Sequence, residues 1–100
     1  MPKTYVALDL ETTGLDPSRD AIIEIGAVRF DRDQVVEHFS TFVNPGRKIP
    51  LFITELTGIT DADVAGAIDV REAAQRVADF VGRDPVVGHN VSFDRSLLRF

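Results

Sequence analysis

Three polar residues, Asp31-Arg32-Asp33, separate two runs rich in Ile, Val and Phe, Ile22–Phe30 and Gln34–Val43. Parallel neighbours need a crossover of about a dozen residues or more, so a connection this short forces an antiparallel pair. The run before them, Thr4–Leu10, is nearly all apolar, the pattern of a central strand covered on both faces. Thr12–Asp20 reads as the loop leaving that strand, marked by Gly14 and Asp16-Pro17. The first half is therefore expected to be an antiparallel meander, closed by Asn44-Pro45-Gly46.

The second half changes period. Thr54–Thr57 reads as a short helix stopped by Gly58. Over Val70–Val81 the residues Val70, Ala73, Ala74, Val77, Phe80 and Val81 form one apolar stripe at helical spacing. Asp69 with Glu72 fits an N-terminal capping box, and Gly82 fits the stop. Asp84-Pro85 resets the chain into a short strand, Val86–Gly88, and a last helix is expected from near Ser92. Asp94, Leu97 and Leu98 share one side of that helix, which points the Asp94 carboxylate inward. The sheet should order as third strand, second, first, then Val86–Gly88 parallel to the first, with the Val70–Val81 helix in the crossover. The fold class is α/β: a mixed sheet, meander plus one parallel strand, flanked by helices.

Composition bounds the rest. One hundred residues allow a single domain with a modest core. Hydrophobic residues at 44% and charged residues at 27% are ordinary globular values. No cysteine means no disulfide framework and no thiolate metal site. No apolar run approaches the roughly 20 residues of a membrane span, so the expected location is the cytoplasm. The net charge of −5 argues against a general nucleic-acid coat, though not against an enzyme that grips only a strand end. Arg47-Lys48, Arg95 and Arg99 are local basic groups, read as solvated surface charge.

Asp9 and Glu11 close the first apolar run. The two-residue period of a strand puts both carboxylates on one face. Alone, they fit either a strand ending in solvated acids or a site for a hard divalent cation such as Mg²⁺ or Mn²⁺. The string Asp9-Leu10-Glu11-Thr12-Thr13-Gly14 is matched near the other end by Gly88-His89-Asn90-Val91-Ser92-Phe93-Asp94. Between them stand Ile22-Ile23-Glu24-Ile25-Gly26-Ala27-Val28, Phe42-Val43-Asn44-Pro45 and Thr57-Gly58-Ile59-Thr60. These five stretches, in this order, resemble the DnaQ-like (DEDD) 3′–5′ exonuclease family, whose domain has a ribonuclease-H-like fold. The resemblance covers nearly the whole chain.

The resemblance implies metal-dependent hydrolysis of phosphodiester bonds at nucleic-acid 3′ ends, with two Mg²⁺ or Mn²⁺ ions held by Asp9, Glu11 and Asp94. It implies that Thr12, Thr13 and Gly14 lie against the terminal nucleotide. Leu56, Thr57 and Ile59 are read either as an apolar shelf under its base or as core. Asn90 is read as orienting the Asp94 loop or capping the helix. His38 reads as a surface residue, and Glu24 as either a supporting acid or a half-exposed strand position. The implied partner is a single-stranded 3′ end, DNA rather than RNA, with a polymerase or helicase region fused or associated.

The histidine subtype of the family carries a further His-x-x-x-x-Asp motif that supplies a general base and a fourth carboxylate. His89 and Asp94 share that spacing, but the surrounding string matches the second motif instead. The chain is therefore expected to be a single incomplete domain, residues 1–100, truncated at its C-terminus and impaired in catalysis. An apolar surface is expected around Leu97, Leu98 and the outer edge of Val86–Gly88. Two competing functions differ in class. A non-catalytic module could bind a strand end without cutting it. A haloacid-dehalogenase-type phosphatase would use Asp9 as nucleophile, but needs a downstream lysine, and no Lys follows Lys48.

Overall fold

The computed structural model describes residues 3–88 and 97–98. Strands β1 (Thr4–Thr12), β2 (Ile22–Asp31) and β3 (Gln34–Phe42) form the meander. Helices α1 (Leu51–Thr57), α2 (Asp61–Ala65) and α3 (Val70–Val81) follow, then β4 (Val86–Gly88). The sheet order is β3-β2-β1-β4, with both meander pairings antiparallel and β4 parallel to β1. This is the expected topology.

Each connection has a local cause. Asp31 pairs with Gln34, so Arg32-Asp33 alone turn the β2–β3 hairpin, and Arg32 adopts φ 61°. That left-handed backbone suits a tight hairpin and would suit glycine better. Helix α3 begins at Asp69, whose carboxylate accepts the Glu72 N–H at 2.9 Å, and ends at Gly82 with φ 60°. The reciprocal half of the expected box is absent from this cap; the Glu72 carboxylate pairs with Arg76 one turn on, at 2.9 Å. Val70 is 40% exposed, so the buried stripe starts at Ala73.

Two helices differ from expectation. Helix α1 starts three residues earlier than Thr54, directly after Pro50, and ends as expected at Gly58 in the left-handed region. Helix α2 was not foreseen. Its signal is Thr60 followed by Asp63: the Thr60 hydroxyl accepts the Asp63 N–H while the Asp63 carboxylate accepts the Thr60 N–H.

Strand β1 is central, but its faces are unequal. Val6 and Leu8 are buried in the main core with Ile25, Ala27, Ala73, Val77 and Val81. The alternate residues Tyr5 and Ala7 are only half-buried, and Asp9 is exposed. Tyr5 stacks on Phe30 across the strand pair, ring centroids 5.2 Å apart. The apolar run thus reflects one buried face and one face of half-exposed aromatic and small side chains, not two covered faces. Leu97 and Leu98 lie inward, as their shared helix side implies, and not on the exposed apolar surface expected around them. Both are buried in the main core, at 8% and 3% exposure, leaving Val87 as the exposed apolar side chain of β4.

A second, smaller core of Ile23, Ile49, Ile53, Ile59 and Val64 fastens α1 and α2 to β2. It exists because the β1–β2 register slips: Glu11 faces Glu24, but Thr12 faces Ile22. The bulge takes Ile23 out of the β1–β2 register, so Ile23 and Ile25, two positions apart, serve different cores.

Candidate active site

Asp9 and Glu11 project from the open face at the C-terminal end of β1, Asp9 exposed and Glu11 half-buried. Across the ladder, Asp9 faces Gly26 and Glu11 faces Glu24. A glycine opposite Asp9 leaves that side of the strand pair without a side chain, and a Cβ there would meet nothing nearer than the Asp9 carbonyl oxygen at 3.9 Å. Strand glycines of this kind mark places where another group can approach closely.

The Glu11–Glu24 pairing is electrostatically unfavourable, since like charges directly opposite repel. Burial, and then the charges of Asp9 and Glu24, push the Glu11 carboxyl above its ordinary value. A carboxylate whose ionised form is disfavoured by burial and by acidic neighbours is one that a bound cation would stabilise. Glu24 is the residue whose part sequence reasoning left open; its cross-strand position opposite Glu11 follows only from register. Among the described residues, no three His, Cys, Asp or Glu side chains lie close enough to hold an ion by themselves. Asp94, Asn90 and His89 lie outside the described residues.

The turn after β1 is strongly fastened. Thr12 Oγ1 donates to the Gly14 carbonyl oxygen at 2.5 Å. Thr13 is 5% exposed, and its N–H donates to the Ala21 carbonyl oxygen at 2.9 Å. Further along the loop, Asp16 Oδ1 accepts from both Oγ and N–H of Ser18, and these bonds hold the Asp16 carboxyl below its usual range.

The residues expected to form an apolar shelf divide. Leu56 is 79% exposed on α1, beside exposed Leu51 and Phe52. Ile59 is buried in the second core, and the Thr57 hydroxyl donates to the Ile53 carbonyl oxygen at 2.8 Å. Because Ile23 belongs to that core and adjoins Glu24, α1 sits at the carboxylate end of the sheet. Two clefts among the described residues lie elsewhere, one around Lys3 and Asp31–Gln34, the other between Asp20, Arg47, Arg71 and Leu97. The carboxylates stand on an open face.

Residues 6–100 match the family model RNase_T, described as "Exonuclease". The chain belongs to the DnaQ-like exonuclease family. A relative named DNA polymerase III PolC-type, from Clostridium perfringens, is 44% identical over 95 residues, which cover 95% of this chain and 7% of the relative. The Bacillus subtilis protein of the same name is 42% identical over 96 residues, 96% of this chain and again 7% of its own length. This exonuclease-family chain therefore spans a small fraction of those polymerases.

Solved structures place the fold. A product-bound exonuclease I superposes with a TM-score of 0.83 at 24% identity, covering 99% of this chain and 25% of that one. A zinc-bound complex of E. coli ExoI with single-stranded DNA gives 0.82 at 24% identity, covering 98% of this chain and 23% of that one. The exonuclease-family chain thus has their ribonuclease-H-like fold, a mixed sheet with helices.

Proposed function

We propose that this chain is a metal-dependent 3′–5′ exonuclease acting on single-stranded ends, DNA in preference to RNA. In the reaction a water oxygen forms a bond to the terminal phosphorus, and the bond to the 3′-oxygen of the preceding nucleotide breaks. That oxygen takes up a proton. The products are a nucleoside 5′-monophosphate and a strand one nucleotide shorter with a free 3′-hydroxyl.

The observation that carries this reading is the Asp9–Glu11 pair, side by side on an open sheet face in a chain of the exonuclease family. The donor set fits hard cations: oxygen ligands only, a Glu11 carboxyl whose proton affinity is raised by burial and then by Asp9 and Glu24, and Gly26 leaving space beside Asp9. Asp9 and Glu11, with Asp94, would hold two Mg²⁺ or Mn²⁺ ions, which stabilise the attacking and leaving oxygens of an in-line displacement when bound. The Thr12–Gly14 turn would meet the terminal nucleotide with its backbone, and exposed Leu56 would underlie the base. Asn90 would orient the loop that bears Asp94. The PolC-type relatives support a setting beside a polymerase, in the cytoplasm; no described helix is long and apolar enough to cross a membrane.

The test is release of mononucleotides from a 3′-labelled single-stranded DNA oligonucleotide with Mn²⁺. Wild-type protein should release them, at the impaired rate expected from its sequence, and Asp9→Asn should not. No release by wild-type protein, or equal release by the variant, would overturn the reading.

A further inference from the structure

We propose that Asp20 is a positioning residue, whose carboxylate holds the Thr12–Gly14 turn in the conformation that receives the terminal nucleotide. The nucleotide part of this inference rests on the exonuclease reading above; the contact itself does not.

Three observations converge on Asp20. Its Oδ1 accepts from Thr13 Oγ1 at 3.0 Å, and its Oδ2 accepts from the Asp16 N–H at 2.9 Å. Thr13 is the one buried polar residue among the described residues, and its hydroxyl in turn accepts the Ala21 N–H at 2.9 Å. That hydroxyl is therefore used in both directions and cannot rotate away without leaving a buried donor unpaired. The third observation concerns Gly14. Its φ is not in the left-handed region, where Gly46, Gly58 and Gly82 lie, so its backbone does not demand glycine. A Cβ at position 14 would instead stand 2.4 Å from Asp20 Oδ2 and 2.7 Å from its Cγ. A side chain at position 14 would have to displace the Asp20 carboxylate from its hydrogen bonds to Thr13 and Asp16.

The geometry links the turn to β2. Asp20 and Ala21 immediately precede the strand whose register sets Glu24 opposite Glu11. The turn that follows Glu11 in the chain is thus tied to the same strand that faces Glu11. A carboxylate here has a chemical advantage over an amide. It accepts from the Thr13 hydroxyl and the Asp16 N–H together, whereas asparagine offers one acceptor and turns a donor toward the other site.

The experiment compares wild type, Gly14→Ala, Asp20→Ala, the double variant and Asp20→Asn in thermal melting and in steady-state cleavage of a single-stranded DNA oligonucleotide with Mn²⁺. Gly14→Ala should lower Tm in the wild-type background but have little effect in Asp20→Ala, because the atoms it would strike are gone. Asp20→Ala removes both hydrogen bonds by which Asp20 holds the turn and should raise KM about tenfold or more, with kcat changed much less. Asp20→Asn should fall between. Equal Tm losses from Gly14→Ala in both backgrounds would overturn the contact. A lower Tm in Asp20→Ala with unchanged KM would reduce Asp20 to a loop staple and overturn the positioning role. The melting comparison needs no activity, so coupling between positions 14 and 20 in a protein without nuclease activity would overturn the exonuclease reading and the nucleotide role with it, while keeping the contact.

Discussion

Glu11 carries the electrostatic tension of the site, set by its own partial burial and by Asp9 and Glu24 beside it. Its folded-state proton affinity exceeds its unfolded one, so the folded protein binds more protons there. The stability this contributes is fully present below the unfolded value and is lost as pH rises through the folded value. At neutral pH, ionised Glu11 therefore opposes folding in the absence of metal. Glu11→Gln should melt above wild type in chelator at neutral pH, and the gap should close as pH falls below the ordinary glutamate range. Mn²⁺ should then reverse the ranking, because a ligand that binds only the native form stabilises it. A Glu11→Gln protein that melts lower than wild type in chelator would contradict this account.

At the scale of elements, short-range chemistry decides where each begins and ends. The Asp69 cap of α3 is a single side chain accepting the Glu72 N–H. Asp69→Ala should cost about 1 kcal/mol in urea denaturation, the usual value of such a cap, and Asp69→Ser should restore most of it. The same reasoning explains how α2 could have been read in advance: Thr60 and Asp63 carry a capping box as plain in sequence as any here. What hid α2 was its length of five residues, too short to show a helical period. The start of α1 was hidden differently, because Leu51 and Phe52 are exposed and mark no buried stripe.

Across the whole molecule, Arg29 joins elements that are far apart in the chain. From the main-core side of β2 it pairs with Glu37 on β3 at 2.9 Å, with Asp84 before β4, and donates to the Phe80 carbonyl oxygen near the end of α3. Its guanidinium also lies 4.8 Å from the centre of the Phe80 ring, and Thr4 Oγ1 completes the Asp84 contacts at 2.8 Å. With its side chain 15% exposed, this cation is largely desolvated. Arg29→Ala should lower unfolding free energy by about 3 kcal/mol, because the Phe80 carbonyl oxygen loses its side-chain donor and Asp84 keeps only the Thr4 hydroxyl. Arg29→Lys should recover only part of that in urea denaturation, since an ammonium cannot reproduce the planar fork. A loss below about 1 kcal/mol, the usual value of an exposed pair, would show that Arg29 behaves as a surface charge.

Much of this protein was legible from neighbouring residues. The two-residue hairpin at Arg32-Asp33, the α3 stripe, Gly58 and Gly82, and the adjacency of Asp9 and Glu11 all depend on spacings of a few residues, where backbone geometry leaves few choices. Strand order followed as well, because a short connection forces antiparallel pairing and a helix-bearing one permits the parallel return. Tertiary structure decided the rest. Glu24 meets Glu11, Ile23 leaves the β1–β2 register for a second core, Leu97 and Leu98 are buried, and Arg29 meets Asp84 across 55 positions. Such contacts depend on register and on how the layers close, and a one-residue slip would aim those side chains at the opposite face.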